Sequence, residues 1–202
     1  MYSSIYYTSS IVNKGIQQSG IVSAVPKVLR QNEMDKLKLF MSDEGSTEIL
    51  KNYILIDKSS KDYVKYLKKY PILASKSIYV LNKTDRSEID KLNPVMGKAF
   101  LCISGVERLK GTAKDGFISI DGKKISANAD LFAMLGKMPK EKLVKIREEI
   151  MTKFSSMDAN MIIQSATPEI KDEYKALGIS TDEIQNLISF QHHRLLQDVQ
   201  MI

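Results

Sequence analysis

The 202-residue sequence is poor in the residues that usually build catalytic and metal sites. It has one cysteine, two histidines and no tryptophan. A single cysteine excludes a disulfide within the chain, and Cys102 lies in the apolar run AFLCISG, where we interpret it as a small buried hydrophobic side chain. This cysteine usage predicts a reducing, intracellular and cytoplasmic location, with a virion as the alternative.

Catalytic motifs are also missing. His192 and His193 are adjacent, so on a helix their side chains point about 100° apart and cannot hold one metal together. The sequence has no glycine-rich phosphate loop, no GxSxG element and no Cys/His pair with ligand spacing. The acidic pairs at 43–44 and 148–149 are explained as well by a helix end and a solvated helix face as by a catalytic role. We predict no cofactor, no metal and no enzymatic activity, although carboxylates that are distant in sequence can meet in a fold.

Long apolar runs are absent too. No uninterrupted apolar stretch approaches the roughly 18 residues that a membrane span requires. The first ten residues, MYSSIYYTSS, lack the basic and apolar regions of a signal peptide. We therefore expect a protein that is neither secreted nor membrane-spanning.

The sequence does contain enough apolar residues, 43%, to bury a core. Its patterns predict an α+β fold, with strands, hairpins and short helices mixed in the N-terminal two-thirds and helices alone in the C-terminal third. The change of element type divides the chain into 1–127 and 128–202. These two regions are expected to form one domain or two.

The first quarter of the chain gives three local predictions. Alternating apolar residues over 5–16 predict a strand and hairpin, or an extended arm that orders against a neighbouring subunit. Pro26 predicts the start of a helix over 27–42, which Asp43-Glu44-Gly45 would end. The apolar run 49–56 fits a buried helix or a strand equally well.

The remaining elements follow from caps, breakers and turns. The predicted elements up to residue 125 are a helix from Ser59 or Ser60 to Pro71, a strand over 77–81, a short helix that Thr84 caps and Asn93-Pro94 ends, a buried strand over 99–103, and a hairpin over 117–125. The hairpin has the clearest signal, because Asp121-Gly122 fits a type I′ turn. The predicted C-terminal helices begin at Asn128, Pro139, Asp158, Thr167 and Ser180.

The net charge of +6 is concentrated in the middle of the chain. Residues 61–130 contain fourteen basic and eight acidic residues, whereas residues 167–202 contain three basic and six acidic ones. Of the 30 basic residues, 25 are lysine and five are arginine. This ratio favours diffuse attraction to polyanions over bidentate recognition of bases.

Two lysine groups are candidate contacts to nucleic acid. The helix over 60–70 combines a lysine face with a stripe of tyrosines: Lys61, Lys65, Lys68, Lys69, Tyr63 and Tyr66, with Tyr70 continuing the stripe. Lysines neutralise phosphates, and tyrosines can stack on bases. Lys110, Lys114, Lys123 and Lys124 lie on and before the predicted hairpin and could extend this surface. The alternative is a solvated helix face, whose tyrosines anchor it to the core, and turn lysines that aid solubility.

Residues 167–189 resemble a helix-turn-helix, the motif of many DNA-binding proteins. Gly178 stands where the first helix ends, Ile179 follows it, and Ile184 and Leu187 recur along the second helix. The resemblance covers about a tenth of the chain and implies a DNA-binding regulator.

The segment departs from that motif where its two helices should touch. Tyr174 stands four residues before the glycine, where the motif has alanine, and Glu173 occupies a position that is usually apolar. The net charge of −3 over 167–202 also opposes contact with phosphates. We therefore interpret the segment as a helical hairpin for packing or oligomerisation. The candidate oligomerisation residues form an apolar stripe on the last helix: Ile184, Ile188, Leu195, Val199 and Ile202.

These observations favour a non-enzymatic, self-assembling protein that contacts nucleic acid, RNA in preference to DNA, without sequence specificity. Its role would be structural, of the nucleocapsid or virion kind, and its partners would be RNA and further copies of itself. A protein-interaction or adaptor module is the first alternative. A DNA-binding regulator that uses the helix-turn-helix-like segment is the second.

Overall fold

The computed structural model describes residues 23–82, 84–120, 123–180 and 182–184. An antiparallel sheet has the strand order β1-β3-β2, and its strands are β1 (Val28–Arg30), β2 (Tyr53–Ile56) and β3 (Ile78–Leu81). Tyr79 of β3 lies opposite Leu29 of β1 on one side and Leu55 of β2 on the other. The strands β1 and β2 are therefore the two edges of the sheet.

Helices make up most of the remaining described structure. They are α1 (Gln31–Lys38), α2 (Asp43–Lys51), α3 (Tyr63–Lys69), α4 (Arg86–Gly111), α5 (Leu131–Gly136), α6 (Lys140–Thr152) and α7 (Ala159–Ala176), with a short 3₁₀ helix over Pro71–Ala74 and a hairpin of β4 (Phe117–Ile120) and β5 (Lys123–Ser126). All the described strands precede residue 127 and the described elements after it are helices, which confirms the predicted α+β class. Across the described ranges, no helix combines the length and apolarity needed to cross a membrane.

The predicted helix over 27–42 is wrong at its start. Val28 and Leu29 belong to β1, where they pair with β3 and are 1% and 0% exposed. The predicted stop at 43–45 is also wrong, because these residues form the first turn of α2. The Ser42 hydroxyl caps that turn by accepting a bond from the Gly45 N–H at 3.0 Å. Acidic residues in a first turn favour a helix start through its dipole.

The largest error of the sequence analysis concerns α4. Neither the predicted break at Asn93-Pro94 nor the predicted strand over 99–103 exists, since α4 continues through both. A proline inside a helix costs about 3 kcal/mol or more, but the helix beyond it is buried. Phe100 and Ile103 are 0% exposed. A helix segment that is buried on all sides has apolar residues on every face. Its sequence therefore shows no periodicity that would distinguish a helix from a strand.

The helix α7 crosses the predicted boundary between two helices. Asp158 caps it as predicted, accepting a bond from the Met161 N–H at 2.9 Å. Thr167 is not a cap, because α7 passes through it and through Pro168. The Thr167 hydroxyl is buried and donates to the Ile163 carbonyl at 2.9 Å.

Other predicted ends are close to the observed ones. Asp85 caps α4 in place of Thr84, and Asp130 caps α5 in place of Asn128. Gly178 ends α7 with a φ of +79°, a left-handed conformation that glycine adopts without strain. The Ser180 hydroxyl accepts a bond from the Glu183 N–H at 3.2 Å, as predicted for the start of a further helix.

The core connects the two predicted regions. One cluster of buried apolar residues runs from Ala24 to Ile184 and includes Phe100 of α4 and Ile170 of α7. Gly97 brings α4 and α7 into close contact, because a Cβ atom there would lie 2.5 Å from Cγ2 of Ile162. Packing therefore spans residue 127.

Several predictions fall outside the described residues. They are the strand, hairpin or arm over 5–16, the Asp121-Gly122 turn, and the part of the last helix that carries Leu187, His192 and His193.

Candidate nucleic-acid interface

The helix α3 presents the first predicted lysine group to solvent. It begins at Tyr63 after Asp62, with no side-chain cap, and ends at Lys69 before Pro71. The predicted cap at Ser60 is wrong, because its hydroxyl donates to the Asp57 carboxylate at 3.1 Å and accepts from the Asp57 N–H at 2.9 Å. All four predicted lysines of this segment are exposed: Lys61, Lys65, Lys68 and Lys69.

The tyrosines of α3 differ in what they could offer a base. Tyr63 and Tyr66 are half-buried and pack against the core, so part of each ring stays accessible. Tyr70 is 7% exposed, and burial raises its pKa. Lysine ammonium groups lie over two of the rings, Lys65 at 5.6 Å from the centroid of Tyr66 and Lys69 at 5.3 Å from that of Tyr70. Stacking on this helix would therefore depend on Tyr63 and Tyr66.

Among the described residues, the lysines around α3 have no carboxylate partner. Residues 57–76 contain six lysines and two aspartates, a net charge of +4, and no salt bridge forms within this described segment (every N···O distance exceeds 4.0 Å). The Asp57 carboxylate accepts bonds from the Ser59 and Ser60 hydroxyls instead, which lower its pKa. Lys58 and Lys76 are exposed in the same segment but were not predicted as contacts, because they lie outside the predicted helix. A charge count over 57–76 alone would have included both.

The second lysine group lies at the end of α4 and on the β4–β5 hairpin. Lys110 is in the last turn of α4, and Lys114 exchanges two backbone hydrogen bonds of 2.9 Å with Phe117 at the base of the hairpin. Lys123 and Lys124 lie on β5, and all four lysines are exposed without a salt bridge. In the described part of the chain, no hydrogen bond or ion pair joins this group to α3.

Lysines elsewhere are arranged differently. Lys51 pairs with Glu48 at 3.1 Å and Lys91 with Glu88 at 3.5 Å, each three residues along a helix. Such pairs neutralise charge locally. The segment 57–76 has no glutamate and leaves its lysines available to an external anion.

The predicted oligomerisation residues are only partly described. Ile184 is 4% exposed and belongs to the chain's own core. The other four, Ile188, Leu195, Val199 and Ile202, lie outside the described residues, so their role stays a prediction.

The helix-turn-helix-like segment uses its unusual residues for internal packing. Its first helix is the C-terminal half of α7, where Glu173 and Tyr174 are 3% and 5% exposed. The Glu173 carboxylate binds Arg30 of β1, and the Tyr174 hydroxyl accepts from the Lys27 N–H at 3.1 Å. These contacts explain why the segment departs from the motif at both positions.

A cleft that the sequence did not predict lies between α2, α4 and α6. Its volume is about 450 Å³, and its walls include Phe40, Met41, Val95, Lys98, Val144 and Arg147. Two of its charged lining residues pair with each other, since the Lys140 ammonium donates to the Asp43 carboxylate at 2.6 Å and lowers its pKa. The Arg147 guanidinium donates to the Leu39 carbonyl at 2.6 Å.

Two kinds of reactive group are missing from the ranges that the structure describes: an accessible thiol and a cluster of metal ligands. Cys102 is 2% exposed, and burial raises the pKa of its thiol to about 12, so it is neither accessible nor ionised at neutral pH. No three His, Cys, Asp or Glu side chains among the described residues could hold a metal ion.

Comparison with known proteins adds no family to this description. No family model matches the chain, and no solved structure matches it. The functional argument therefore rests on the molecule's own surfaces.

Proposed function

We propose that this is a non-enzymatic, self-assembling protein that contacts nucleic acid, RNA in preference to DNA, without sequence specificity. Its role would be structural, of the nucleocapsid kind. The observation that carries the proposal is the segment 57–76, whose six exposed lysines have no salt-bridge partner among the residues that the structure describes. Lysine attracts phosphate as a point charge and does not select bases.

The salt dependence of binding tests this proposal. Fluorescence anisotropy with a labelled single-stranded RNA would give the affinity at several salt concentrations. For single strands, the slope of log K against log salt changes by about 0.7 for each phosphate contact. We expect K61Q/K65Q/K68Q/K69Q to flatten that slope by up to about 3, if each lysine contacts one phosphate.

A matched control removes the same charge from another surface. Lys137, Lys142, Lys145 and Lys153 are exposed, on or near α6. Their quadruple glutamine variant should keep most of the slope, and so should K110Q/K114Q/K123Q/K124Q if the hairpin is not part of the interface. Equal losses in all three variants would mean a diffuse charge effect, and absence of binding at low salt would refute the proposal.

A protein-interaction module is a second candidate, and one observation favours it. Val64 of α3 is 63% exposed, and Ile54 and Leu55 of the preceding strand are 49% and 37% exposed. Apolar exposure of this kind fits a protein partner better than a polyanion. Light scattering after nuclease treatment separates the candidates, because a monomer with no nucleic-acid absorbance favours the interaction module.

A further inference from the structure

The two edges of the three-stranded sheet are protected to different extents. At β1, the Glu173 carboxylate accepts from the Arg30 N–H at 2.7 Å and the Tyr174 hydroxyl accepts from the Lys27 N–H at 3.1 Å. Helix α7 thus covers this edge. At β2, no described residue forms a hydrogen bond with the edge that faces away from β3.

The hydrogen bonds at the start of β2 identify the backbone groups that face outward. The Asn82 N–H donates to the Asn52 carbonyl at 2.8 Å. In an antiparallel pair, successive residues direct their N–H and C=O groups alternately toward and away from the neighbouring strand. The even-numbered residues of β2 therefore bond to β3, whereas Tyr53 and Leu55 direct theirs outward.

This free edge is short and is bounded at both ends. Before it, helix α2 ends at Lys51. After it, the Asp57 N–H donates to the Ser60 hydroxyl at 2.9 Å, and the Asp57 carbonyl accepts from the Ser60 N–H at 3.1 Å. The edge therefore offers two donors and two acceptors, from Tyr53 and Leu55 alone.

The side chains of β2 leave this edge open to another strand. Ile54 and Leu55 are 49% and 37% exposed on opposite faces of the strand, and YILI contains neither charge nor proline. Natural sheets blunt their edges with charge, proline, a bulge or a covering element. Because the described part of the chain provides none of these at β2, the edge is a template for strand addition.

We propose that β2 pairs in antiparallel orientation with β2 of a second copy, about a two-fold axis at Ile54, and joins two three-stranded sheets into one of six strands. This inference deepens the proposed self-assembly and rests on it. Tyr53 of each copy then lies opposite Leu55 of the other. Each such pair exchanges two hydrogen bonds, so every outward-facing backbone group of β2 gains a partner. The contact is self-complementary, as a two-fold dimer requires.

The same backbone groups select this register. Outward-facing residues must lie opposite one another, so the nearest alternatives are shifts of two residues. A shift in one direction places Asp57 opposite Tyr53, but the peptide groups of Asp57 are already bonded to Ser60. A shift in the other direction places Leu55 opposite Lys51, which is helical. Only the register centred on Ile54 uses the whole free edge.

Charge at the ends of the strand pair is complementary. The Asp57 carboxylate accepts bonds from serine groups and has no ammonium partner among the described residues. Antiparallel pairing brings to it Lys51 of the second copy, which is exposed and bonded to Glu48. Together with Lys58, each end then combines two carboxylates and two ammonium groups. The two segments 57–76 lie at opposite ends of the strand pair, so their lysines do not oppose pairing.

Disulfide formation in the full-length protein tests the contact and its register together. The two Ile54 residues form a non-hydrogen-bonded pair, whose Cα atoms lie about 4.5 Å apart, within the roughly 4.4–6.8 Å that a disulfide requires. We expect Ile54→Cys to give a disulfide-linked homodimer under mild oxidation. Leu55→Cys should not, because its two copies lie diagonally, about 7–8 Å apart. Cys102 is 2% exposed and is common to all variants.

Val64→Cys is the matched control for random collision. Val64 of α3 is 63% exposed, more than Ile54, so collision alone would link this variant faster. Non-reducing electrophoresis over time should instead show Ile54→Cys linking faster than both other variants. Equal rates in the three variants, or faster linkage of Leu55→Cys, would overturn the contact in this register.

Light scattering tests the edge without an added cysteine. Leu55→Pro removes an outward-facing donor and leaves the bonds to β3 in place, so the measured mass should fall by about half as a two-fold dimer separates. Ile54→Lys keeps the backbone intact, places two ammonium groups together at the axis, and should give the same fall. Val64→Lys should leave the mass unchanged, and circular dichroism checks the fold of each variant. An unchanged mass in folded Ile54→Lys would overturn the contact.

RNA binding measured on the same samples separates this inference from the proposed function. An assembly that persists in Ile54→Lys overturns the β2 contact and leaves the proposed self-assembly to another surface. A monomeric unsubstituted protein overturns both. A dimer linked at Ile54→Cys that binds no RNA at low salt supports the strand contact and refutes the nucleic-acid role.

Discussion

Leu29 and Leu55 occupy equivalent places at the two edges of one sheet, yet their surroundings differ. Both lie opposite Tyr79 of the central strand. Leu29 is 0% exposed beneath the covered edge, whereas Leu55 is 37% exposed at the open one. Strand pairing alone therefore does not decide burial, because what packs against the edge decides it.

The covering of the β1 edge depends most on Glu173. Glu173→Ala would leave the partly buried Arg30 guanidinium and its backbone N–H without their hydrogen-bond acceptor, with only Glu33 at 3.9 Å as a remaining carboxylate. Removal of one partner of a fully buried ion pair costs about 3–5 kcal/mol, and the 20% exposure of the Arg30 side chain reduces that cost. We expect urea unfolding to report a loss of about 2–3 kcal/mol, below the range for a fully buried pair. Asp172→Ala is the control, because its exposed pair with Lys175 is worth about 0–1 kcal/mol, and equal losses would contradict the assignment.

The leucine pair compares the two edges directly. Leu29→Ala should lower the free energy of unfolding by about 2–5 kcal/mol through loss of burial and a residual cavity. Leu55→Ala should lower it by less than about 1 kcal/mol, because much of that side chain is already in water. Urea denaturation of both variants provides the measurement. Similar losses would show that something covers the β2 edge within a single molecule.

Alkaline pH should weaken the covered edge. Burial raises the pKa of Tyr174 to about 12, from 10.0 in the unfolded chain. Its contribution is therefore complete below pH 10 and is lost as the pH rises toward 12. The expected loss is on the order of 2–3 kcal/mol, at 1.36 kcal/mol per unit. Between pH 9 and 12, the free energy of unfolding should decline less steeply in Tyr174→Phe than in the unsubstituted protein. The buried Cys102, whose pKa is also raised to about 12, adds the same decline from pH 9 in both proteins.

A smaller effect is expected where α7 rests on α4. Gly97→Ala would place a Cβ atom 2.5 Å from Ile162 and push α7 outward, at a cost of about 1–3 kcal/mol. Gly105→Ala, on the same helix with no atom within 4 Å of the added Cβ, should instead stabilise by about 1 kcal/mol through helix propensity. Thermal unfolding should shift the two midpoints in opposite directions, and shifts of the same sign would refute the close contact.

Local chemistry was predictable where neighbouring residues settle the outcome. The hairpin over 117–125, the Asp158 cap and the end of α7 at Gly178 follow from turn and cap residues that act within a few positions. The lysine face of α3 was equally visible, since it requires only helical spacing. Local reasoning failed at 43–45, where the same acidic residues and glycine could end one helix or begin the next.

Tertiary packing settled the elements that local signals misjudged. Pro94 and Pro168 each favour a helix end, but continuous packing of α4 against α7 offsets that local cost. The helix is buried on all sides at 99–103, so every residue of this run is apolar. The periodicity of the sequence therefore cannot identify the element there. The unequal protection of the sheet was unpredictable, because Glu173 and Arg30 are 143 residues apart in sequence.

The sequence by itself determined the α+β class, the hairpin, most C-terminal helix starts and the concentration of lysine in the middle of the chain. These features depend on composition and on contacts between near neighbours. Only the tertiary structure decided that α4 and α7 are continuous, that β1 is covered, and that β2 leaves two apolar side chains exposed. Those outcomes depend on burial, which is a property of the whole packed chain.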